Sequence, residues 1–288
     1  MTDLGDTERG RDGRPPLGAG ETIATGYRII AHLSRGNHLD VYDARSEERA
    51  CRVVAKMPRP DCLDDRATVR ALLREGRLLR KFTHPHIVRA YEVIKEPRPT
   101  VILETLTGAT LAYLIDTGAR RLPLADVVHL GLHLCSALHY LHGHDVLHLD
   151  LKPTNIVSEG RMAKIIDLSI ARPPGRGKEG VGTSQYMAPE QVTGDYLSPA
   201  TDVWGVGAVL WETTTGEEPF NADDEDDDEP SYEQLERRIV PIRSYRRVPA
   251  AFADLVESCL EPDSAGRPTV GEIADALNGM VRTPRSQG

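Results

Sequence analysis

The sequence predicts an α+β fold in which a small β-rich part precedes a larger, mostly helical one. Three observations predict it. The runs YRIIAHL, LDVYDAR and CRVVAKM follow one another from residue 27, separated by short polar turns, which is the pattern of successive strands. One amphipathic stretch, RATVRALLREGRLLRKF at 66–82, places Val69, Leu72, Leu73, Leu79 and Phe82 at helical spacing. Further on, the long helical patterns at 126–142 and 201–220 dominate, the second apolar enough for a buried helix.

Composition narrows the function classes. A chain of 288 residues, 40% hydrophobic and 27% charged, is an ordinary globular protein with room for one large domain or two lobes. The formal charge of 35 − 44 = −9, with no basic block, argues against a nucleic-acid partner. Cys51, Cys62, Cys135 and Cys259 are far apart and form no CxxC pair, so they read as reduced thiols of a cytosolic protein. No apolar run is expected to approach the ~20 residues of a membrane span, and the N-terminus lacks a signal-peptide core. The expected setting is soluble and cytoplasmic, without a membrane partner.

In chain order, residues 1–26 are poor in large apolar side chains and read as a flexible tail. The strand runs follow, and Lys56 ends VVAK with its side chain opposite to Ala55 and Met57. In the helix at 66–82, Glu75 sits on the rim of the apolar stripe beside Gly76, a residue that costs a helix ~1 kcal/mol against Ala. TVILETL at 100–106 reads as a strand entering a linker, with Gly108 freeing the chain beyond. His129 and His133 share one face of the helix at 126–142; without a third ligand they read as helix-face histidines rather than a zinc site.

The stretch 147–167, LHLDLKPTNIVSEGRMAKIID, carries the chemistry. Pro153 between Asp150 and Asn155 argues for a loop. Ile156-Val157 and Ile165-Ile166 read as strands around the turn 158–161, a hairpin that carries Asn155 into the same volume as Asp167. An amide oxygen and a carboxylate converging there suit Mg²⁺, or Mn²⁺ in its place, arriving with phosphates. Asp150 can accept a proton from a hydroxyl, and Lys152 can hold phosphate charge.

HLDLKPTN resembles the catalytic loop H-R-D-x-K-x-x-N of eukaryotic-like serine/threonine protein kinases, of the bacterial stand-alone type, and DLS at 167–169 resembles their D-F-G. The resemblance covers about 27–281 and implies a bilobal fold, with an N-lobe at 27–106, a C-lobe at 107–281 and a polar tail at 282–288. It implies that Glu75 pairs with Lys56, which holds the ATP α- and β-phosphates. It further implies nucleotide contacts from Leu33, Gly36, Val41, Ala55, Leu103, Glu104, Leu106 and Val157, with Leu103 as gatekeeper. LSRGNHLDVY is similar to the family's glycine-rich flap but keeps only Gly36; Ser34 and Leu39 replace the other glycines, so a stiffer or displaced flap is expected. GTSQYMAPE at 182–190 resembles the end of an activation segment, placing Thr183 against Asp150 and Lys152. Asp202 is expected to accept backbone N–H groups of the catalytic loop, and Arg267 to pair with Glu190.

Two departures go together. Leu149 replaces the arginine of H-R-D, which receives an activating phosphate in the family, and 173–182 contain no Ser, Thr or Tyr. The expected activity is transfer of the ATP γ-phosphate to a Ser or Thr hydroxyl of a protein, without need of activation-loop phosphorylation. The alternative is a pseudokinase acting as a nucleotide-binding or scaffold module. The seven acidic residues at 223–229 read as a solvated loop, with docking of basic substrates as the alternative.

Overall fold

The computed structural model describes residues 13–118, 121–220 and 232–282; the acidic run at 223–229, and nearly all of the C-terminal tail, lie outside them. The chain divides into two compact units, the first made of residues up to 80 with 90–105, the second of 81–89 with everything from 106 onward.

In the first unit, β1 (Thr22–Ala24), β2 (Tyr27–Arg35), β3 (Leu39–Ser46), β4 (Cys51–Pro58), β5 (Ala90–Ile94) and β6 (Thr100–Glu104) form one sheet in the order β1-β2-β3-β4-β6-β5. All pairings are antiparallel, and residues paired across antiparallel strands share a face. Tyr42, Ala44, Val53, Ala55, Met57 and Ile102 form a buried cluster on one face, closed over by Ile23, Ala24, Tyr27 and Leu17. The expected tail at 1–26 is therefore corrected for its last part. Thr22–Ala24 is a strand, and the amide of Gly20 bonds the Ile29 carbonyl at 2.9 Å. A few apolar side chains suffice to order a segment that also pairs by backbone.

The other face carries Val41, Val54, Lys56, Val101 and Leu103, which follow from the register Val41↔Lys56↔Val101 and Val54↔Leu103. The helix α1 (Arg66–Lys81) buries Leu72, Glu75, Gly76 and Leu79. Gly76 is explained by space: a Cβ there would lie 2.5 Å from a Val101 methyl and 2.9 Å from one of Val93. Bare backbone lets α1 press onto the sheet. Gly76→Ala should destabilise the protein by about 1–2 kcal/mol, overpacking outweighing the gain in helix propensity. Adding Val101→Ala should recover part of the loss in a thermal melt; a Gly76→Ala variant as stable as the parent would remove this account.

The second unit begins with the segment 81–89, expected in the N-terminal lobe. It belongs here because Val88 N–H bonds the Ile165 carbonyl at 2.8 Å and Ile165 N–H bonds that of His86 at 2.9 Å, while Phe82 packs edge-on to Tyr140 and His144. Next come β7 (Ala109–Thr110), α2 (Leu111–Thr117), α3 (Leu124–His142), the hairpin β8 (Ile156–Glu159) and β9 (Met162–Ile165), β10 (Gly175–Arg176), α4 (Pro189–Thr193), β11 (Tyr196–Leu197), α5 (Pro199–Thr215), α6 (Glu233–Glu236), α7 (Ala250–Cys259) and α8 (Val270–Arg282). At 19 residues α3 is long and apolar enough to cross a membrane by length and composition, contrary to the expectation that no run comes near. Val127, Leu130, Leu134, Leu138 and Leu141 along it are buried. The helix α5 is buried along nearly its whole length, as its apolar sequence dictates. Arg267, with a fully buried side chain, bonds both Glu190 carboxylate oxygens at 2.7 and 2.9 Å and the carbonyls of Ala200, Glu261 and Pro262.

Candidate active site

In the first unit, Lys56 and Glu75 are brought together. The ammonium lies 2.8 Å from the Glu75 carboxylate, with Lys56 9% and Glu75 1% exposed. The spacing of α1 against β4 sets this contact, and Gly76 beside Glu75 permits the close approach. Of the candidate nucleotide-contacting residues in this unit, Val41 and Leu103 share the Lys56 face. Glu104 ends β6. Ala55 does not belong with them: it is fully buried in the cluster on the opposite face. Strand period two puts Val54, not Ala55, beside Lys56.

The flap between β2 and β3 closes with Gly36 N–H on the Leu39 carbonyl at 2.8 Å. Leu33 is exposed on β2. Asp40, fully buried, accepts from Arg35 Nε at 2.8 Å and Nη2 at 2.9 Å, and lies 3.1 Å from His32 Nε2 and from the Tyr42 hydroxyl. Burial pushes the Asp40 carboxyl up, but the hydrogen bonds from Arg35 and His32 outweigh it and hold it below its ordinary value.

In the second unit, the polar residues of the loop at 150–155 converge with Thr183. Pro153 does not exclude a helical turn: Pro153–Asn155 is one turn of 3₁₀ helix with Pro at its start, where the missing N–H costs nothing. That turn swings Asn155 back, and its Nδ2 donates to the Asp150 carbonyl at 2.9 Å and carboxylate at 3.0 Å. Thr183 Oγ1 donates to the other Asp150 oxygen at 2.8 Å and accepts from Lys152 Nζ at 2.6 Å. Lys152 Nζ is also 3.2 Å from Asp150. Ile166 N–H bonds the Asn155 carbonyl at 3.0 Å, so Asp167 directly follows a residue tied to Asn155. Asp167 accepts from Ser169 N–H at 2.7 Å, and Ser169 is not among the non-glycine residues with positive φ. Val157 on β8 is buried, and Leu106 is half-buried between β6 and β7, where the second unit resumes.

The fit of a divalent cation can be tested on this arrangement. Asn155 spends its NH₂ on Asp150, which leaves its amide oxygen as the end for a cation. The Asp167 carboxylate, next in the chain after Ile166, is a second hard oxygen donor, and two such donors suit an ion that keeps waters and phosphate oxygens. The donor set fits Mg²⁺. His129 and His133 are not brought together as ligands. His129 Nδ1 bonds the Ala125 carbonyl in its own helix at 2.7 Å. His133 Nδ1 faces the Ala163 amide at 3.2 Å and its ring stacks on His86. Burial and the neighbouring His86 push the His133 imidazole down to about 4.

The loop is held from below. Asp202 on α5 accepts the backbone N–H groups of His148 at 2.9 Å and Leu149 at 2.8 Å. Leu149 has φ of 69°, costly for a non-glycine residue. Its side chain packs with Leu147 and Leu197, and Ile170 joins them. Gln191 Nε2 spans from the Leu149 carbonyl at 2.8 Å to that of Val181 at 3.2 Å. Gln234 from α6 donates to the carbonyls of Ser184 and Met187. Neither glutamine was expected from the sequence, since no local pattern marks a polar side chain that bridges distant carbonyls.

Tyr186 donates to Glu212 on α5 at 2.6 Å. Burial drives the Glu212 carboxyl from 4.5 up to about 7; the Tyr186 bond lowers it, while Glu218 and Asp116 raise it further. An acid with a raised folded-state pKa holds its proton more tightly when folded, so stability falls as pH rises from about 4.5 to about 7. Glu212→Gln should flatten that slope and melt higher than the parent at pH 8, with up to ~3 kcal/mol at stake. Melts at pH 5 and 8 that run parallel for both proteins would show that Glu212 ionises freely.

The protein kinase domain family matches residues 27–277 of the chain. Over 210 residues the chain is 31% identical to the serine/threonine-protein kinase PknB of Mycobacterium tuberculosis, covering 68% of this chain and 33% of that protein. A probable serine/threonine-protein kinase of Clostridium perfringens is 27% identical over 274 residues, 92% of this chain and 40% of its own length. Human myosin light chain kinase 3 is 30% identical over 208 residues, 69% of this chain and 25% of its own. The chain thus spans between a quarter and two fifths of the length of these relatives. With a match that runs from β2 into α8, the chain belongs to the protein kinase domain family.

Proposed function

We propose that the chain is an ATP-dependent serine/threonine protein kinase whose activity does not depend on phosphorylation of its activation segment. The observation that carries the reading is the bonded set Asp150, Lys152, Asn155 and Thr183. The acceptor hydroxyl oxygen bonds to the γ-phosphorus as the bond from that phosphorus to the β–γ bridging oxygen breaks, releasing ADP. Asp150 orients the hydroxyl and takes its proton. Lys152 offsets charge on the transferring group, and Thr183 holds both side chains in place. Lys56, oriented by Glu75, neutralises charge on the α- and β-phosphates. Mg²⁺, or Mn²⁺, held by Asn155 and Asp167 would supply further neutralisation of phosphate charge.

Independence from loop phosphorylation rests on Leu149. Where the family's arginine would await a phosphate, Leu149 packs with Leu147, Ile170 and Leu197. The segment is further tied by Leu147 and Arg172, which exchange backbone bonds at 2.8 and 3.1 Å, and by β10 pairing with β11. Apolar packing and backbone bonds do the ordering. A cytoplasmic location is proposed on four cysteines that are free thiols. Acceptors are Ser or Thr residues of proteins, and basic ones are favoured if the acidic run at 223–229 meets them.

The test is transfer of labelled γ-phosphate from Mg-ATP to the protein itself and to a generic basic protein. Label on Ser or Thr, absent in Asp150→Asn, supports the reading. A rise in melting temperature with Mg-ATP but no transfer would favour the pseudokinase. Protein treated with a phosphatase should transfer at the parent rate; a lag abolished by prior autophosphorylation would overturn the phosphorylation-independent part.

A further inference from the structure

We infer that Asp40 is a positioning residue for the nucleotide flap, clamping the turn at 34–39 through Arg35 in place of the two missing glycines; this rests on the kinase reading above. Arg35 and Asp40 are register partners at the base of the turn, so their two-pronged pair, at 2.8 and 2.9 Å, closes the loop where it leaves the sheet. A planar fork on a carboxylate fixes direction as well as distance. The carboxylate is fully buried, so water cannot replace a lost partner, and His32 and Tyr42 flank the remaining lone pairs at 3.1 Å.

The clamp extends on both sides of the turn. Arg35 Nη1 also reaches the Arg14 carbonyl at 3.2 Å, and the Tyr42 hydroxyl accepts from Leu17 N–H at 3.1 Å. The segment preceding β1 is thereby fastened to the flap's base. At the tip, Arg59 N–H bonds the His38 carbonyl at 2.9 Å, and its guanidinium makes long contacts with the carbonyls of Gly36 and Asn37 while Asp61 holds it. A glycine-rich flap is mobile and loses conformational freedom when it closes on phosphate. Here side chains hold the backbone before nucleotide arrives. The substitutions Ser34 and Leu39 are offset by Arg35, Asp40 and Arg59.

The experiment uses the full chain carrying Asp40→Asn, which keeps shape and removes the charge. The KM for ATP is expected to rise about tenfold, equivalent to about 1.4 kcal/mol, with kcat within about twofold and the acceptor KM unchanged. Without nucleotide, the amides at 36–39 should exchange hydrogen faster than in the parent. Arg35→Lys, which keeps the charge but loses the fork, should fall between the two; its site is 22% exposed, so it serves if Asp40→Asn fails to fold. An ATP KM equal to the parent's, or a loss confined to kcat, overturns the positioning role. A parent that binds no Mg-ATP defeats the kinase reading itself and the positioning role with it, and is told apart by that first titration.

Discussion

Asp150→Asn is expected to leave a folded protein that transfers phosphate about 10²- to 10⁴-fold more slowly, the range associated with a positioned general base. The bonding pattern explains why the fold should survive. One Asp150 oxygen faces donors, Asn155 Nδ2 and Lys152 Nζ, while the other faces the Thr183 hydroxyl. An asparagine fits in one orientation, with its oxygen toward Asn155 and Lys152 and its NH₂ toward Thr183, whose hydroxyl can turn to accept. What is lost is the negative charge and the capacity to take a proton. The nucleotide-induced rise in melting temperature should persist, since the residues proposed to hold ATP are untouched. An initial rate within a few-fold of the parent would remove Asp150 as the base.

The local chemistry of the site was legible because it lies in short stretches. Asp150, Lys152 and Asn155 fall within six residues, and one 3₁₀ turn folds them together. Lys56 and Glu75 were legible only through the resemblance: the helical period put Glu75 no further than the rim of the apolar stripe, and the family's strand–helix ion pair implied its partner. Matching by letter rather than by period misplaced Ala55, which the strand turns away from Lys56. Gly76 had no sequence account because its cause is a pair of valine methyls on β5 and β6. Asp40 gave no signal either. A carboxylate in a strand reads as solvated until Arg35, His32 and Tyr42 are seen around it. The strand Thr22–Ala24 escaped notice because backbone pairing and a few contacts order it, without any apolar run.

Asp202→Ala should cost about 2–6 kcal/mol, roughly 1–3 for each buried backbone donor left without its acceptor, and lower the melting temperature by roughly 10 °C. The side chain is buried, and its two oxygens take three bonds: Leu149 N–H at 2.8 Å, His148 N–H at 2.9 Å and His142 Nε2 at 2.8 Å. Removing it strands two backbone donors, each of which must otherwise find a partner. It also releases Leu149 from a backbone conformation that only its surroundings sustain. Asp202→Asn is not a mild alternative. Its oxygen can serve His148 and His142, but its NH₂ then meets the Leu149 N–H, donor against donor. The loop at Leu149 should relax, and Asp150 follows it directly in the chain. Asparagine at 202 should therefore lower kcat more than it lowers stability, while alanine lowers both. Rates measured well below each variant's melting temperature separate the two effects. If Asp202→Asn keeps the parent kcat, the hold of α5 on the catalytic loop is purely structural.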